Sequence, residues 1–564
     1  MEERSIEKIS LPKTTHFIIQ DEIEGHLSVF QTQYDRLKHD YDVLAHNYAE
    51  ALEKIAFFEE QIRLLRHKQF GHSSERTSPE QGILFGETEA QDGLLASPDA
   101  TTTIIYERKK KNSPKRNQFP IHWPRREIVH DIDPQDKIDE QGKPLTVIGY
   151  DEFEQVSVSP ARFEVVIHKR PKYAKEAEDG STQVLQAPPA LVPLPKSLAT
   201  PSLLADIITT KFAEHIPLHR YEQRCARQDF TLPRATQARW LIRLCENEGL
   251  LYPLVFLVLD QLRQLTVVHC DETRFQVFNE DNRQNPDSSY AYAWMLAGVA
   301  EIDGNPVKLA YFHYSPSKAC EVIDALLGEF SGHLVVDGYS GFDRLEHLRA
   351  TTENPITLCG CMDHARRRFK DAEKGLRKGD KKLSLTHQGV ALVNKLYRIE
   401  RDIKEKSPEE KLAHRQLHTV PALDELKAWL DKTQPNLNPK SLLGQAVSYT
   451  QNQFEKLKRF AFKGEVPISN IFCEQQAKKF AVGRKNWLFS NTPAGAKASC
   501  ALYTLTVTAC LNQVDPFAYF RYILAVLPTV QTLEGLESLL PWRVNADIIK
   551  NFDEFSYCRG KPPD

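Results

Sequence analysis

Val267-Val268-His269-Cys270-Asp271-Glu272-Thr273 is a short apolar run that stops at an acid, and Leu334-Val335-Val336-Asp337-Gly338-Tyr339 repeats the pattern. Such runs read as buried strands with an Asp at each tip. The surroundings keep the strand period: 265–270, 291–299 and 307–313 are three strands, the first two separated by a polar loop rich in Asn and Asp. Next come a helix at 316–330, a fourth strand at 333–336, a helix at 342–348 and a fifth strand at 356–361. Three consecutive strands, then helix, strand, helix, strand, is the element order of a ribonuclease H-like α/β sheet. In that order the first and fourth strands are neighbours, so Asp271 and Asp337 are expected at adjacent strand ends.

A third acid joins them from far along the chain. In Ser469-Asn470-Ile471-Phe472-Cys473-Glu474, Ser469 or Asn470 is a helix cap and Glu474 falls on the first or second turn. The same helix carries Lys478, Lys479, Arg484 and Lys485. Three carboxylates brought together this way suit two divalent cations and phosphodiester chemistry. The stretch 373–464 is almost wholly helical in pattern and far too long for a connection, so it reads as an inserted helical subdomain. The core is thereby divided into 259–372 and 465–528, followed by a C-terminal tail at 529–564. At 361–370, a strand end runs into a basic helix, and Arg366, Arg367 and Lys370 are expected to face a nucleic-acid backbone. Cys359, Cys361 and His364 lack a complete tetrahedral set, so no structural zinc is expected.

Outward from the core, residues 23–65 carry apolar residues in steps of four and three. One seam is Ile23, Phe30, Leu37, Leu44, Ala51, Phe58 and Leu65; the other is Leu27, Tyr34, Tyr41, Tyr48, Ile55 and Ile62. That pattern predicts a coiled coil over 20–68 and a homo-oligomer built through it. A linker at 69–118 holds a basic cluster of Arg108, Lys109, Lys110, Lys111, Lys115 and Arg116. Residues 119–200 read as a small β-rich module with strands at 156–158 and 163–167. Residues 201–258 are helical, and 232–240 suits the second helix of a DNA-binding helix-turn-helix. The fold class expected is multidomain α/β: N-terminal coiled coil, β-rich module, helical DNA-binding region, and ribonuclease H-like core with a helical insertion.

Bulk properties constrain the rest. The 564 residues suffice for several domains, and a net charge of −3 makes any nucleic-acid surface local. No apolar run approaches the roughly 20 residues of a membrane span. The start, MEERSIEKIS, lacks signal-peptide character, and the ten Cys form no disulfide framework. A reducing cytoplasm is the expected location.

The chain resembles the transposases of the insertion sequence 66 family from the heptads to about Pro528. The matching blocks begin with Phe70-Gly71-His72-Ser73-Ser74-Glu75-Arg76 and Lys211-Phe212-Ala213-Glu214-His215-Ile216-Pro217-Leu218-His219-Arg220. Asp271-Glu272-Thr273, Asp337-Gly338-Tyr339 and 361–367 follow. The most specific is Gly483-Arg484-Lys485-Asn486-Trp487-Leu488-Phe489, with Val514-Asp515-Pro516-Phe517-Ala518-Tyr519 downstream. The resemblance implies an Asp-Asp-Glu cut-and-join enzyme with Asp271, Asp337 and Glu474 as catalytic ligands of two Mg²⁺, Mn²⁺ being a substitute. It also implies that Lys478, Arg484, Lys485 and Trp487 lie near DNA, which is both element end and target, and that small accessory proteins assist. Several departures accompany it. Ile138, Gln141, Lys175 and Glu178 stand where the family carries two Cys-x-x-Cys pairs, Ser469-Asn470-Ile471 replaces Asp-Asn-Asn, and Cys361-Met362-Asp363-His364 replaces Cys-Trp-Ala-His. Lys318 stands for an Arg and Gln475 for another. These leave an alternative: a degenerate transposase that dimerises and binds DNA without cutting it.

Overall fold

The computed structural model describes residues 13–70, 163–167, 172–176, 182–186, 191–281, 289–376 and 384–554. The heptad stretch is one helix, α1 (Lys13–Phe70), with no proline inside it. Its seam stands in solvent: Leu37 is 70% and Leu44 67% exposed. A different face docks near the helix's end. Leu64 is buried against Ala372 and Leu442, Arg63 Nε donates to the Gly375 carbonyl at 2.7 Å, and Glu60 accepts the Leu442 N–H at 3.0 Å. Strands β1 (Lys172–Glu176) and β2 (Thr182–Gln186) form an antiparallel hairpin. The chain divides into two units, and 163–167 are the described residues of the smaller one, Ala90–Lys169. The strand expected at 163–167 is not formed: Val165 is 90% exposed, and no described strand pairs with the segment. The strand expected at 156–158, the basic linker cluster, and Ile138, Gln141 and Glu178 lie outside the described residues.

Four helices follow: α2 (Pro201–Phe212), α3 (Leu218–Ala226), α4 (Arg234–Cys245) and α5 (Tyr252–Arg263). The Thr200 hydroxyl accepts the Leu203 N–H and Pro201 opens α2, a favourable helix start. Ile208, Leu244 and Val258 share one buried cluster with the sheet, so this helical region is integral to the core. On the far side of α4, Arg234, Arg239 and Arg243 are exposed.

The sheet comprises β3 (Val267–Val277), β4 (Tyr290–Ile302), β5 (Asn305–Ser315), β6 (Gly332–Val336) and β7 (Ile356–Gly360), in the order β5-β4-β3-β6-β7. The first three strands are antiparallel, while β6 and β7 run parallel to β3. Helices α6 (Cys320–Leu327) and α7 (Ser340–Arg349) make the crossovers. The first begins later than its sequence pattern suggests. Ser315 and Ser317 hydroxyls accept the N–H groups of Ser317 and Ala319, at 3.1 and 3.0 Å, and hold the preceding turn out of helix.

Strand parity separates the two faces of the sheet. Val268, Cys270, Leu334, Val336 and Leu358 enter the larger core. Val335 and Cys359 enter a second cluster with Leu396, Leu426, Val447 and Leu457 of the insertion. That insertion follows α8 (Met362–Gly375) and comprises α9 (Leu385–Asp402), α10 (Pro408–His414), a π turn at Arg415–Thr419, α11 (Val420–Thr433), α12 (Leu442–Asn452) and α13 (Phe454–Lys458). Buried Arg415 holds it together, pairing with Glu400 at 2.5 Å and donating to the carbonyls of Phe460, Lys463 and Val466.

The chain returns as α14 (Ile471–Trp487), a short β8 (Phe489–Ser490) that extends the far end of β3, α15 (Pro493–Leu511) and α16 (Pro516–Val526). Helix α15 closes the sheet's open edge. Thr504, Thr508 and Asn512, four residues apart, accept the N–H groups of Phe312, Ala310 and Lys308, at 2.9, 3.3 and 3.0 Å. The stretch expected as a tail folds back as α17 (Leu533–Glu537) and α18 (Ala546–Lys550). Leu539, Leu540 and Ile549 are buried, and Glu554 accepts the Ser202 N–H at 2.7 Å. Among the described residues no helix is long and apolar enough to cross a membrane.

Candidate active site

The sequence reading puts Asp271 at a strand tip, but it lies within β3, which stays paired with β4 to Gln276. On its other side, pairing with β6 stops at His269–Val335, so Asp271 sits where its parallel neighbour ends. Asp337 is the first residue past β6. By parity both acids belong to the sheet face that bears the insertion. Asp271 accepts the Glu272 N–H and Asp337 the Tyr339 N–H, each at 2.9 Å, which fixes both carboxylates against their own backbones. A Cβ on Gly338 would lie 2.9 Å from the ring of Tyr449 in α12, so the insertion closes directly over the second acid.

Glu474 occupies the first turn of α14, and Asn470 places it there. Buried Asn470 donates through Nδ2 to the Cys270 carbonyl at 2.8 Å and through its backbone N–H to Cys361 Sγ at 3.2 Å. Its Oδ1 faces His269 Nδ1 at 2.9 Å. Because that oxygen only accepts, the His269 proton sits on Nδ1, and burial pushes this imidazole down to about 4, keeping it neutral. One side chain thus ties the Glu474 helix to the strand of Asp271 and to the start of α8. The sequence marks neither Asn470 nor His269 as a site residue; for Asn470 the signals are its cap position and its match to the middle Asn of the family's Asp-Asn-Asn.

The electrostatics follow from three acids converging. Burial and the carboxylates of Glu272, Glu474 and Asp337 push the Asp271 carboxyl up to about 8, against a smaller opposing pull from the Glu272 N–H. Glu272 pairs with Lys318, yet its Oε2 is buried without a hydrogen-bond partner. Lys318 also lies 3.9 Å from the Tyr339 ring centre, and Tyr339 donates to its carbonyl at 3.0 Å. On the other flank, Arg367 donates to Glu474 Oε2 at 3.1 Å. Glu474 Oε1 faces Cys361 Sγ at 3.7 Å and His364 Nδ1 at 3.6 Å. Excess negative charge on half-buried carboxylates, with an orphaned carboxylate oxygen beside them, fits hard divalent cations such as Mg²⁺ or Mn²⁺.

The basic residues expected at DNA divide by helix phase. Arg367 is exposed on α8, whereas Arg366, one residue earlier, is buried. It donates to Asn394 at 2.8 Å and lies 4.8 Å from the Tyr397 ring centre, so it anchors the insertion and does not face a phosphate. Lys370 pairs with Glu373 at 3.3 Å. Lys478 and Lys485 are exposed, and half-exposed Arg484 donates to Thr273 at 3.3 Å. Trp487, expected against a base or sugar, instead turns its ring edge-on to Phe480 and Phe275, at 5.5 and 6.2 Å, where it closes the end of α14. Asp363, which the sequence marks only as a departure from the family pattern, is buried and accepts from Tyr397 at 2.6 Å.

Comparison with known proteins places this arrangement. The model of "Transposase IS66 family" matches residues 196–498, which include all three acids, and "IS66 C-terminal element" matches 504–542. "Transposase C of IS166 homeodomain" matches 58–128. Two uncharacterized proteins of Sinorhizobium fredii are similar over most of their length. The protein y4qI is 28% identical over 88% of this chain and 91% of its own. The protein y4jD is 30% identical over 76% of this chain and 82% of its own. No solved structure matches. With more than half of its residues in the principal match, the chain belongs to the IS66 family of transposases.

Proposed function

We propose that the chain binds insertion-sequence ends and carries out metal-dependent DNA strand cleavage and strand transfer with Asp271, Asp337 and Glu474. The observation that carries this reading is the placing of Asp271 where β6 pairing ends and of Asp337 just past β6, with Glu474 near enough that burial, Glu272, Glu474 and Asp337 together push the Asp271 carboxyl up to about 8. The order β5-β4-β3-β6-β7 supports a ribonuclease H-like core. Asp271, Asp337 and Glu474 would hold two divalent cations such as Mg²⁺, which when bound would supply Lewis-acid stabilisation and lower the pKa of an attacking water. The protein's own part is positional. Asn470 fixes the Glu474 helix against β3, Tyr449 covers the Asp337 turn, and Arg367 orients Glu474 through Oε2. Exposed Lys478 and Lys485, with Arg484 and Lys370, line the approach for phosphates, and Arg234, Arg239 and Arg243 of α4 offer a second basic face for element ends. Self-association through the α1 seam brings two active sites to two DNA ends in the bacterial cytoplasm, and small accessory proteins complete the assembly.

One observation favours a second reading, a DNA-binding protein that no longer cuts: Arg367 already neutralises Glu474. Strand transfer of a labelled element end with Mg²⁺ separates the two. The wild type is expected to yield product, and Glu474→Gln to lower it at least about 100-fold while still retarding the DNA. Equal product from both would overturn the catalytic assignment. Product from neither, with binding intact, selects the binder.

A further inference from the structure

Glu474 has a second set of neighbours that the carboxylate trio does not use. Cys361 Sγ, a ring nitrogen of His364 and a Glu474 oxygen all lie within 4.8 Å of one another. The shared corner is Oε1, 3.7 Å from the sulfur and 3.6 Å from the nitrogen, whereas Arg367 holds the other oxygen. Tetrahedral bonds of ordinary zinc length place neighbouring ligand atoms about 3.3–3.5 Å apart, so the two distances to Glu474 Oε1 need to shorten by only a few tenths of an ångström, and the Cys361–His364 separation lies within 4.8 Å. Cys361 is buried, and His364 Nδ1 is buried with no hydrogen-bond partner. Cys361 is the N-cap of α8 and His364 lies three residues on, in its first turn; the third donor comes from 113 residues away. The sequence therefore displays two ligands of an incomplete set, and folding supplies the third.

We propose that Cys361, His364 and Glu474 form a three-ligand site for a borderline or thiophilic divalent cation, Zn²⁺ or Cd²⁺, whose binding withdraws Glu474 from the carboxylate trio. On binding, the Cys361 thiol releases its proton to solvent and the sulfur keeps its hydrogen bond from the Asn470 N–H. A fourth position stays open, as in exchangeable rather than structural zinc sites. The inhibitory consequence rests on the transposase reading; the site itself does not. The test is a Cd²⁺ titration of the full chain, followed by the near-ultraviolet sulfur-to-cadmium charge-transfer band, in a Cys510→Ser background because Cys510 is exposed. One equivalent is expected to develop the band. Cys361→Ser should abolish it, His364→Gln should weaken binding at least about tenfold with the thiol intact, and Asp271→Asn should leave it in place. A band that survives Cys361→Ser, or the absence of any band in a folded wild type, overturns the site. A band without Zn²⁺ inhibition of strand transfer overturns only the inhibitory role, and a band in a protein that never cuts indicts the transposase reading instead.

Discussion

At the scale of single residues, the site depends as much on Asn470 as on the acids. Its amide joins β3 to α14 across 200 residues of sequence, between groups that are all buried. Asn470→Ala leaves the Cys270 carbonyl and the His269 Nδ1–H without partners, which costs about 1–3 kcal/mol for buried polar groups. Urea unfolding should show that loss as a lower midpoint with an unchanged slope, and an unchanged midpoint would remove Asn470 from its positioning role. This residue also marks the limit of what the sequence reveals. The proposed ligands Asp271, Asp337 and Glu474 stand out in the sequence because each lies where an apolar period ends or a helix begins. Arg366 and Arg367 were not separable, because the phase of α8 is set by Asn394 and Tyr397 of a helix about 30 residues further on.

Among secondary-structure elements, strand period placed all five principal strands, and the ribonuclease H-like element order placed β3 beside β6. It did not place Asp271 within β3, because alternation records which face a residue takes and not where a neighbouring strand stops. The capping of β5 by Thr504, Thr508 and Asn512 and the folding of 533–550 onto the core were invisible for a similar reason. Both depend on contacts with partners far away in sequence. Helix α1 makes two statements on two faces: Glu60, Arg63 and Leu64 dock it, and the heptad seam stays exposed. Leu37→Glu with Leu44→Glu should therefore abolish self-association measured by light scattering while leaving the melting temperature of the core unchanged. An unchanged mass would show that the seam is not the interface.

For the whole molecule, an acidic balance of −3 coexists with basic side chains gathered at α4, α8 and α14. The insertion lies on the acid-bearing face of the sheet, and α1 ends against α8 and α12. Helix α1 is thus linked by packed helices to the side of the site that carries His364 and Arg367. The central claim is that segments 66 and 137 residues apart along the chain meet around bound cations. Replacing Mg²⁺ with Fe²⁺ and mapping the backbone cuts made by locally generated hydroxyl radicals tests it most directly. Cuts near 271, 337 and 474, all suppressed by excess Mg²⁺, are expected. Cuts at none of these positions, or only near 361 and 474 and insensitive to Mg²⁺, would contradict a three-carboxylate centre.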